Sequence, residues 1–378
     1  MKDAIEQYLP WFILKNIPSL GNQAAKDLID TYKDPETILA LSPRELKQVK
    51  GLSFHTINAL THYESHVEKA RAQLVALLEH SMGILTLNDP AYPALLRQIP
   101  DPPLLLTCAG DILPGKQDAA CIAIVGSRTP TDYGLKAARA FSSALGKAGF
   151  VIVSGMARGI DSAAHQGALE AGATTVAVLG SGLGNVYPPE NKDLFNEIQK
   201  NGAILSEFPL DAPPLGAHFP VRNRIIAGMT LGTLVIEAAK KSGSLITARL
   251  ACEYNREVFA MPGSIYSAKS TGTHELLKNG ATLIENHKDV IEQLQGLIRR
   301  DIPEPKDKKE QEIHSVSMDK DTAVIDEIIG PYPVHIDRII EKSAMHSARV
   351  NAILLELELS GRITKHPGNY FSRTTATG

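Results

Sequence analysis

Between residues 121 and 260 the chain repeats one pattern, in which short runs of consecutive apolar residues alternate with longer stretches of helical periodicity. The runs predict strands at 121–125, 150–154, 175–179, 203–206, 233–236 and 257–260. A half-exposed strand alternates apolar and polar positions, whereas an unbroken apolar run suits a strand buried on both faces, as in a parallel sheet covered by helices. Right-handed βαβ connections turn such an alternation into a doubly wound, Rossmann-like α/β sheet. Ligands of these sheets bind beyond the carboxyl ends of the strands, so a site is expected in the residues just after each run.

The flanks follow other patterns. Residues 1–81 read as short amphipathic helices with two similar turns, Ile17-Pro18-Ser19-Leu20-Gly21 and Val49-Lys50-Gly51-Leu52-Ser53. Such turns are similar to those of SAM-like or helix-hairpin-helix modules and fit a plain helical cap equally well. A proline-rich passage, 89–114, leads into the core, and 299–321, charged and without apolar period, reads as a linker. Helices are expected at 322–329, 336–341 and 347–359, followed by a hairpin of 362–365 and 369–371 around Pro367-Gly368. Three helices and a hairpin predict a winged helix. Its mixed charge (Glu341, Lys342, His346, Arg349) suits protein contact as well as DNA. The expected organisation is a helical domain 1–81, a Rossmann-like core 82–298, the linker, and a winged-helix domain 322–378.

Composition narrows the class without naming a ligand. At 378 residues the chain is long enough for more than one core. It carries no apolar run near the roughly 20 residues a membrane helix needs. The opening Met1-Lys2-Asp3-Ala4-Ile5-Glu6 lacks the basic and then apolar order of a secretory signal. A cytoplasmic protein without a membrane partner is expected. Cys108, Cys121 and Cys252 lie far apart without C-x-x-C spacing, so neither a metal site nor a disulfide framework is expected, and no cofactor. A formal net charge of −3 means that any contact with nucleic acid must come from local clusters of Arg and Lys.

Such clusters stand where the sheet rule puts a site. The first core strand ends in Gly126-Ser127-Arg128-Thr129-Pro130 ahead of a helix, so backbone N–H groups and a helix N-terminus face an anion and Arg128 adds a charge-assisted contact. The second ends in Gly155-Met156-Ala157-Arg158-Gly159, the third in Gly180-Ser181-Gly182-Leu183-Gly184. His218-Phe219-Pro220-Val221-Arg222-Asn223-Arg224 then supplies two further arginines, and Lys240-Lys241-Ser242-Gly243-Ser244 opens another helix, which carries Thr247. Several anion sites along one edge suit a polymer better than a mononucleotide. Phosphates would follow the arginines while bases stack on an aromatic such as Phe219, for which core packing is the equal alternative.

Taken together, these motifs resemble the DNA-processing protein A family, DprA, also called Smf. The resemblance rests on Tyr92-Pro93 with Pro102-Pro103, Val125-Gly126-Ser127-Arg128, Ser154-Gly155-Met156-Ala157-Arg158-Gly159-Ile160-Asp161 with Ala164-His165, and Tyr187-Pro188. It continues through Phe219-Pro220-Val221-Arg222-Asn223-Arg224-Ile225-Ile226-Ala227-Gly228, Ser242-Gly243-Ser244-Leu245-Ile246-Thr247-Ala248 and Pro262-Gly263. What it implies is a homodimer that binds single-stranded DNA in natural transformation and helps load the recombinase RecA onto it, with Arg128 and the Arg222 to Arg224 segment as the core of the DNA site. By the same resemblance the flanks are accessory SAM-like and winged-helix domains.

Enzymatic readings fare less well. Gly126-Ser127-Arg128 offers one glycine where a dinucleotide fingerprint needs three. The stretch from Gly110 to Gln117 has P-loop spacing but ends in Gln117 instead of the magnesium-binding Ser or Thr, and it precedes a strand. Asp161 reads as the N-cap or first-turn acid of a helix, with Ser162 and His165 on the helix behind it, and not as part of a triad. A nucleoside-monophosphate phosphoribohydrolase of the cytokinin-activating type remains an alternative. For it, Leu231-Gly232-Thr233-Leu234-Val235-Ile236-Glu237 keeps a glycine and a threonine, but Glu237 falls one position late. A protein-binding adaptor is the third class. The expectation is a DNA-handling protein without catalytic residues.

Overall fold

The computed structural model describes residues 1–111, 119–297, 320–330 and 332–374. Most of the expected linker, and residues 112–117 of the P-loop-like stretch, lie outside them. Two compact units divide the chain, Met1–Pro305 and Lys306–Gly378.

The first unit is built on a nine-stranded sheet, whose strands are β1 (Gly83–Thr86), β2 (Leu105–Gly110), β3 (Cys121–Val125), β4 (Val151–Ser154), β5 (Thr175–Val178), β6 (Gly202–Ser206), β7 (Gly232–Val235), β8 (Glu257–Ala260) and β9 (Thr282–Leu283). Their order is β1-β2-β6-β5-β4-β3-β7-β8-β9. From β6 to β9 every pairing is parallel, while β2 joins β6, and β1 joins β2, antiparallel. The six expected strands are present within a residue or so at each end, and β3 to β7 are buried along their whole length, as their unbroken apolar runs require. Because β4, β5 and β6 step away from β3 on one side while β7 and β8 take the other, the chain is doubly wound about β3.

The sequence did not expose β2 as a strand, because prolines at 100, 102 and 103 mark its approach as a lead-in. What makes it one is the free edge of β6, whose backbone groups it pairs from Thr107 to Gly110.

Helices Asp132–Lys147, Ile160–Glu170 and His287–Leu294 pack on one face of the sheet around Ile122, Ile152 and Leu234. Opposite them, His218–Gly228 and Gly243–Glu253 share a continuous core with the N-terminal helices, which insert Phe12, Leu14, Leu28, Leu74 and Leu77. Polar anchors fix the same junction. Glu207, just after β6, accepts from Asn22 Nδ2 at 2.8 Å, its backbone carbonyl accepts from Lys15 Nζ, and Lys26 Nζ donates to the Ile99 carbonyl at 3.2 Å.

The second unit has helices Lys320–Ile328, Ile336–Ser343 and Ser347–Leu359 with a small antiparallel sheet of Val334–His335, Tyr370–Arg373 and Ile363–His366. Ile325, Ile339, Val350, Ile353, Leu357 and Phe371 form its core. Three helices and a hairpin are the winged-helix arrangement.

Candidate functional site

Beyond the carboxyl ends of β3, β4 and β5 lies an open cleft of about 410 Å³, solvent included, lined by Arg128, Gly155, Ala157, Arg158, Gly180, Ser181, Tyr187, Pro188 and Phe219. The loops after β3 and β4 are tied together, since Ile160 N donates to the Ser127 carbonyl at 3.1 Å. Ser127 Oγ also accepts from Thr129 N at 3.2 Å, which closes the turn that presents Arg128. Gly126 packs beneath that turn against Ile160 and the Glu237 backbone.

Phe219, at the start of helix His218–Gly228, forms the inner wall. Its ring lies 5.8 Å from that of Tyr187, tilted by 52°, and the Arg128 guanidinium sits over it at 5.1 Å. A Cβ at Gly180 would stand 2.8 Å from this ring, so only glycine lets the loop after β5 close against it. Arg128 and Arg158 are both exposed, which leaves two guanidinium groups beside a partly exposed aromatic pair.

Arg222 belongs to the floor of the cleft. It is buried, and its Nη1 donates to the Gly155 carbonyl at 2.8 Å and to the Val178 carbonyl, capping the ends of β4 and β5. A Cβ at Gly155 would meet the guanidinium at 2.4 Å, which is the physical reason for glycine there. Burial pulls the Arg222 pKa down to about 10, opposed by the nearby Asp161 carboxylate. Asp161 is buried as well, and burial raises its pKa even though Arg222 and the Ala157 and Gly155 amides act to lower it. His165, beneath them, gives Nδ1 to Thr175 Oγ1 at 2.7 Å, and its pKa is driven down to about 3 by burial and by Arg222. Ser162 Oγ donates to the Ala157 carbonyl at 2.6 Å and Asp161 Oδ2 accepts from the Ala157 N–H at 3.4 Å, while His165 bonds Thr175, so the three are not linked to one another as a relay.

Several expectations for this site change. Arg224 does not reach the cleft. Its Nη2 donates to both Glu207 carboxylate oxygens at 2.6 Å, and Nε lies 3.3 Å from Asp101. It braces the junction with the N-terminal helices and is not among the residues that line the cleft. Arg222 and Asn223 are likewise internal, the latter joining Arg222 Nε to the Gly243 carbonyl. Ser242 caps the helix Gly243–Glu253, whose Ser244 and Thr247 face inward with Ala248 and Ala251. Gly243 is exposed at the helix start, and Lys240 and Lys241 are exposed, yet none of the three lines the cleft. Of the expected set, the structure gathers Arg128, Gly155, Arg158 and Phe219, carried by the Gly126-Ser127 turn and held from below by Arg222. Tyr187, with Pro188, also lines the cleft although it lies three residues beyond the Gly180–Gly184 turn after β5, outside the stretches in which the sequence predicts a site. Its aromatic identity next to a proline was the available signal.

Glu237 sits at the doubly wound sheet's reversal point, between the ends of β3 and β7. It is buried, its Oε2 accepts from Thr131 N at 2.9 Å, and its Oε1 accepts from the Thr131 hydroxyl. The carboxylate that the hydrolase reading needs is thus spent on holding the start of helix Asp132–Lys147. Among the described residues no group of His, Cys, Asp and Glu is arranged to hold a metal ion, and no helix is long and apolar enough to cross a membrane.

Comparison with known proteins bears on the family of the chain. The family described as DNA recombination-mediator protein A matches residues 83–295, and the DprA winged helix domain matches 305–369. Protein Smf of Synechocystis sp. is 33% identical over 398 residues, covering 96% of this chain and 98% of its own length. DNA processing protein DprA of Streptococcus pneumoniae is 44% identical over 205 residues, 54% of this chain and 71% of the relative. The X-ray structure of the Streptococcus pneumoniae protein superposes with a TM-score of 0.65 at 35% identity, covering 75% of this chain and 96% of that one. DNA processing protein A of Helicobacter pylori, whose structure was described for its single-stranded DNA binding mode, superposes with a TM-score of 0.52 at 33% identity, covering 57% and 97%. With its core matched from the first strand of the sheet onward, its winged helix matched separately and one relative aligned almost end to end, the chain belongs to the DNA-processing protein A (DprA/Smf) family.

Proposed function

We propose that this protein binds single-stranded DNA in the cleft beyond β3 to β5. In this reading Arg128 and Arg158 take phosphates while Phe219 and Tyr187 stack on bases. The observation that carries it is the exposed Arg128 guanidinium set over the Phe219 ring at 5.1 Å, a cation for the backbone and a π-face for a base within one nucleotide's reach. Stacking is sequence-tolerant and phosphate contact is sequence-blind, so the arrangement suits a strand of any sequence. The role proposed is non-catalytic and cytoplasmic: a homodimer that receives single strands in natural transformation and helps load RecA onto them, with 1–81 and 322–378 as accessory domains. The recombination-mediator description of the matched family supports that role. The Helicobacter pylori relative's single-stranded DNA binding mode supports the ligand. The engagement of Glu237 by Thr131 weighs against the phosphoribohydrolase alternative.

A gel-shift length series with single-stranded and duplex oligonucleotides tests this. Single strands should be retained in preference to duplex, with affinity falling steeply as salt rises. Arg128→Ala should weaken binding and make the log–log salt dependence shallower by about 0.7, the contribution of one phosphate on a single strand. Equal affinity in wild type and variant would move the working surface elsewhere and favour the adaptor reading.

A further inference from the structure

The two exposed arginines of the cleft are not electrostatically equal. Arg128 lies over Phe219 and makes no ion pair among the described residues. Arg158 Nε is paired with Glu190 Oε1. Glu190 belongs to the short turn Pro189–Asn191, which directly follows the cleft residues Tyr187 and Pro188. That turn is fastened to the Arg158 loop by its neighbour. Asn191 Nδ2 donates to the Met156 carbonyl and to Ser162 Oγ, both at 2.8 Å, and these acceptors stand on either side of Arg158 in sequence. Backbone placement therefore holds the carboxylate beside the guanidinium, although both side chains are about half exposed. The hydrogen bond from Arg158 keeps the Glu190 carboxyl below its ordinary range, so it is ionised at neutral pH.

We infer that Glu190 is a built-in competitor for DNA phosphate at Arg158, which weakens the hold of this cleft on single strands. The inference rests on the binding function proposed above. A carboxylate offers two acceptor oxygens to a guanidinium in nearly the geometry of a phosphate, so an incoming phosphate must exchange with Glu190 instead of adding to a free cation. A polymer held elsewhere along the cleft, by Arg128 and by stacking on Phe219, delivers its next phosphate at high effective concentration and can make that exchange. An isolated phosphate cannot. Glu190 thereby favours chains over mononucleotides and speeds release.

The test is fluorescence anisotropy with a labelled oligothymidylate, comparing wild type, Glu190→Gln, Arg158→Ala and the double variant, each with its melting temperature as a check on folding. Glutamine keeps the size and removes the charge. Glu190→Gln should tighten binding about two- to five-fold, the range that one exposed ion pair supports. It should also steepen the log–log salt dependence by up to about 0.7, since phosphate at Arg158 would then release a counterion with no freed carboxylate to recapture one. In the Arg158→Ala background the tightening should vanish. Wild type that binds, with Glu190→Gln equal or weaker, or a gain that persists without Arg158, overturns the competitor role alone. Wild type that fails to bind single strands overturns the functional reading, and this inference with it.

Discussion

Replacing Arg224 by methionine separates two roles that the sequence leaves superposed. The Arg224 side chain is 6% exposed and that of Glu207 13%, and Nη2 donates to both carboxylate oxygens at 2.6 Å. Methionine preserves most of the apolar stem and deletes the charge, leaving a buried carboxylate with Asn22 as its remaining side-chain donor. Removing one partner of a buried pair costs about 3–5 kcal/mol. The surviving Asn22 bond places the expected loss near the lower end, about 3 kcal/mol, and the Asp101 contact adds little because that side chain is 43% exposed. For the unit Met1–Pro305, with an unfolding entropy of about 2.1 cal/mol/K per residue, this is a fall in melting temperature of about 5 °C. Glu207 also holds Lys15 and Asn22, so the N-terminal helices should become the first sites of limited proteolysis. Single-strand affinity at 25 °C, and its salt dependence, should stay as in wild type. Differential scanning fluorimetry, proteolysis and anisotropy on one preparation decide the matter. A variant with unchanged melting temperature but weaker binding and a shallower salt slope would make Arg224 a phosphate ligand and refute the bracing role.

Two further outcomes are expected. Phe219→Ala should lower single-strand affinity by about 1–3 kcal/mol, roughly 5- to 150-fold, with Phe219→Tyr close to wild type; equal affinity of the alanine variant would remove stacking from the site. His165 contributes a pH dependence. Its native pKa of about 3 lies below the ordinary 6.5, so the unfolded chain takes up a proton that the native protein does not, and stability is lost as pH falls from 6.5 toward 3. The slope is about 1.4 kcal/mol per pH unit for this group, and urea titrations across that window should show a flatter profile for His165→Gln, whereas superimposable profiles would contradict the assignment.

The central strands were legible because burial on both faces imposes a composition: the run at 121–125 is apolar throughout, and in 175–178 the one polar residue, Thr175, is buried. The glycine turns after β3, β4 and β5 were legible for a related reason, since a strand-to-helix turn packed this closely leaves a chemical trace at positions such as Gly155 and Gly180. The direction of each charged side chain was not. Arg222 and Arg224 lie two residues apart, which on a helix is a rotation of about 200°, so they cannot share a face. Treating 218–228 as a helix would have separated them from the sequence alone. Only the fold says which one turns to the cleft floor and which to Glu207, because that depends on the N-terminal helices packed behind it. Likewise β2 and the Glu190–Arg158 pair exist through partners nearly a hundred and about thirty residues away. Local periodicity records how buried a residue is and on which face, and so the sequence determined the sheet and its anion-friendly rim. Partner choice over long separations is decided by close packing in three dimensions, and there the structure divided one row of arginines into an exposed pair, a floor and a brace.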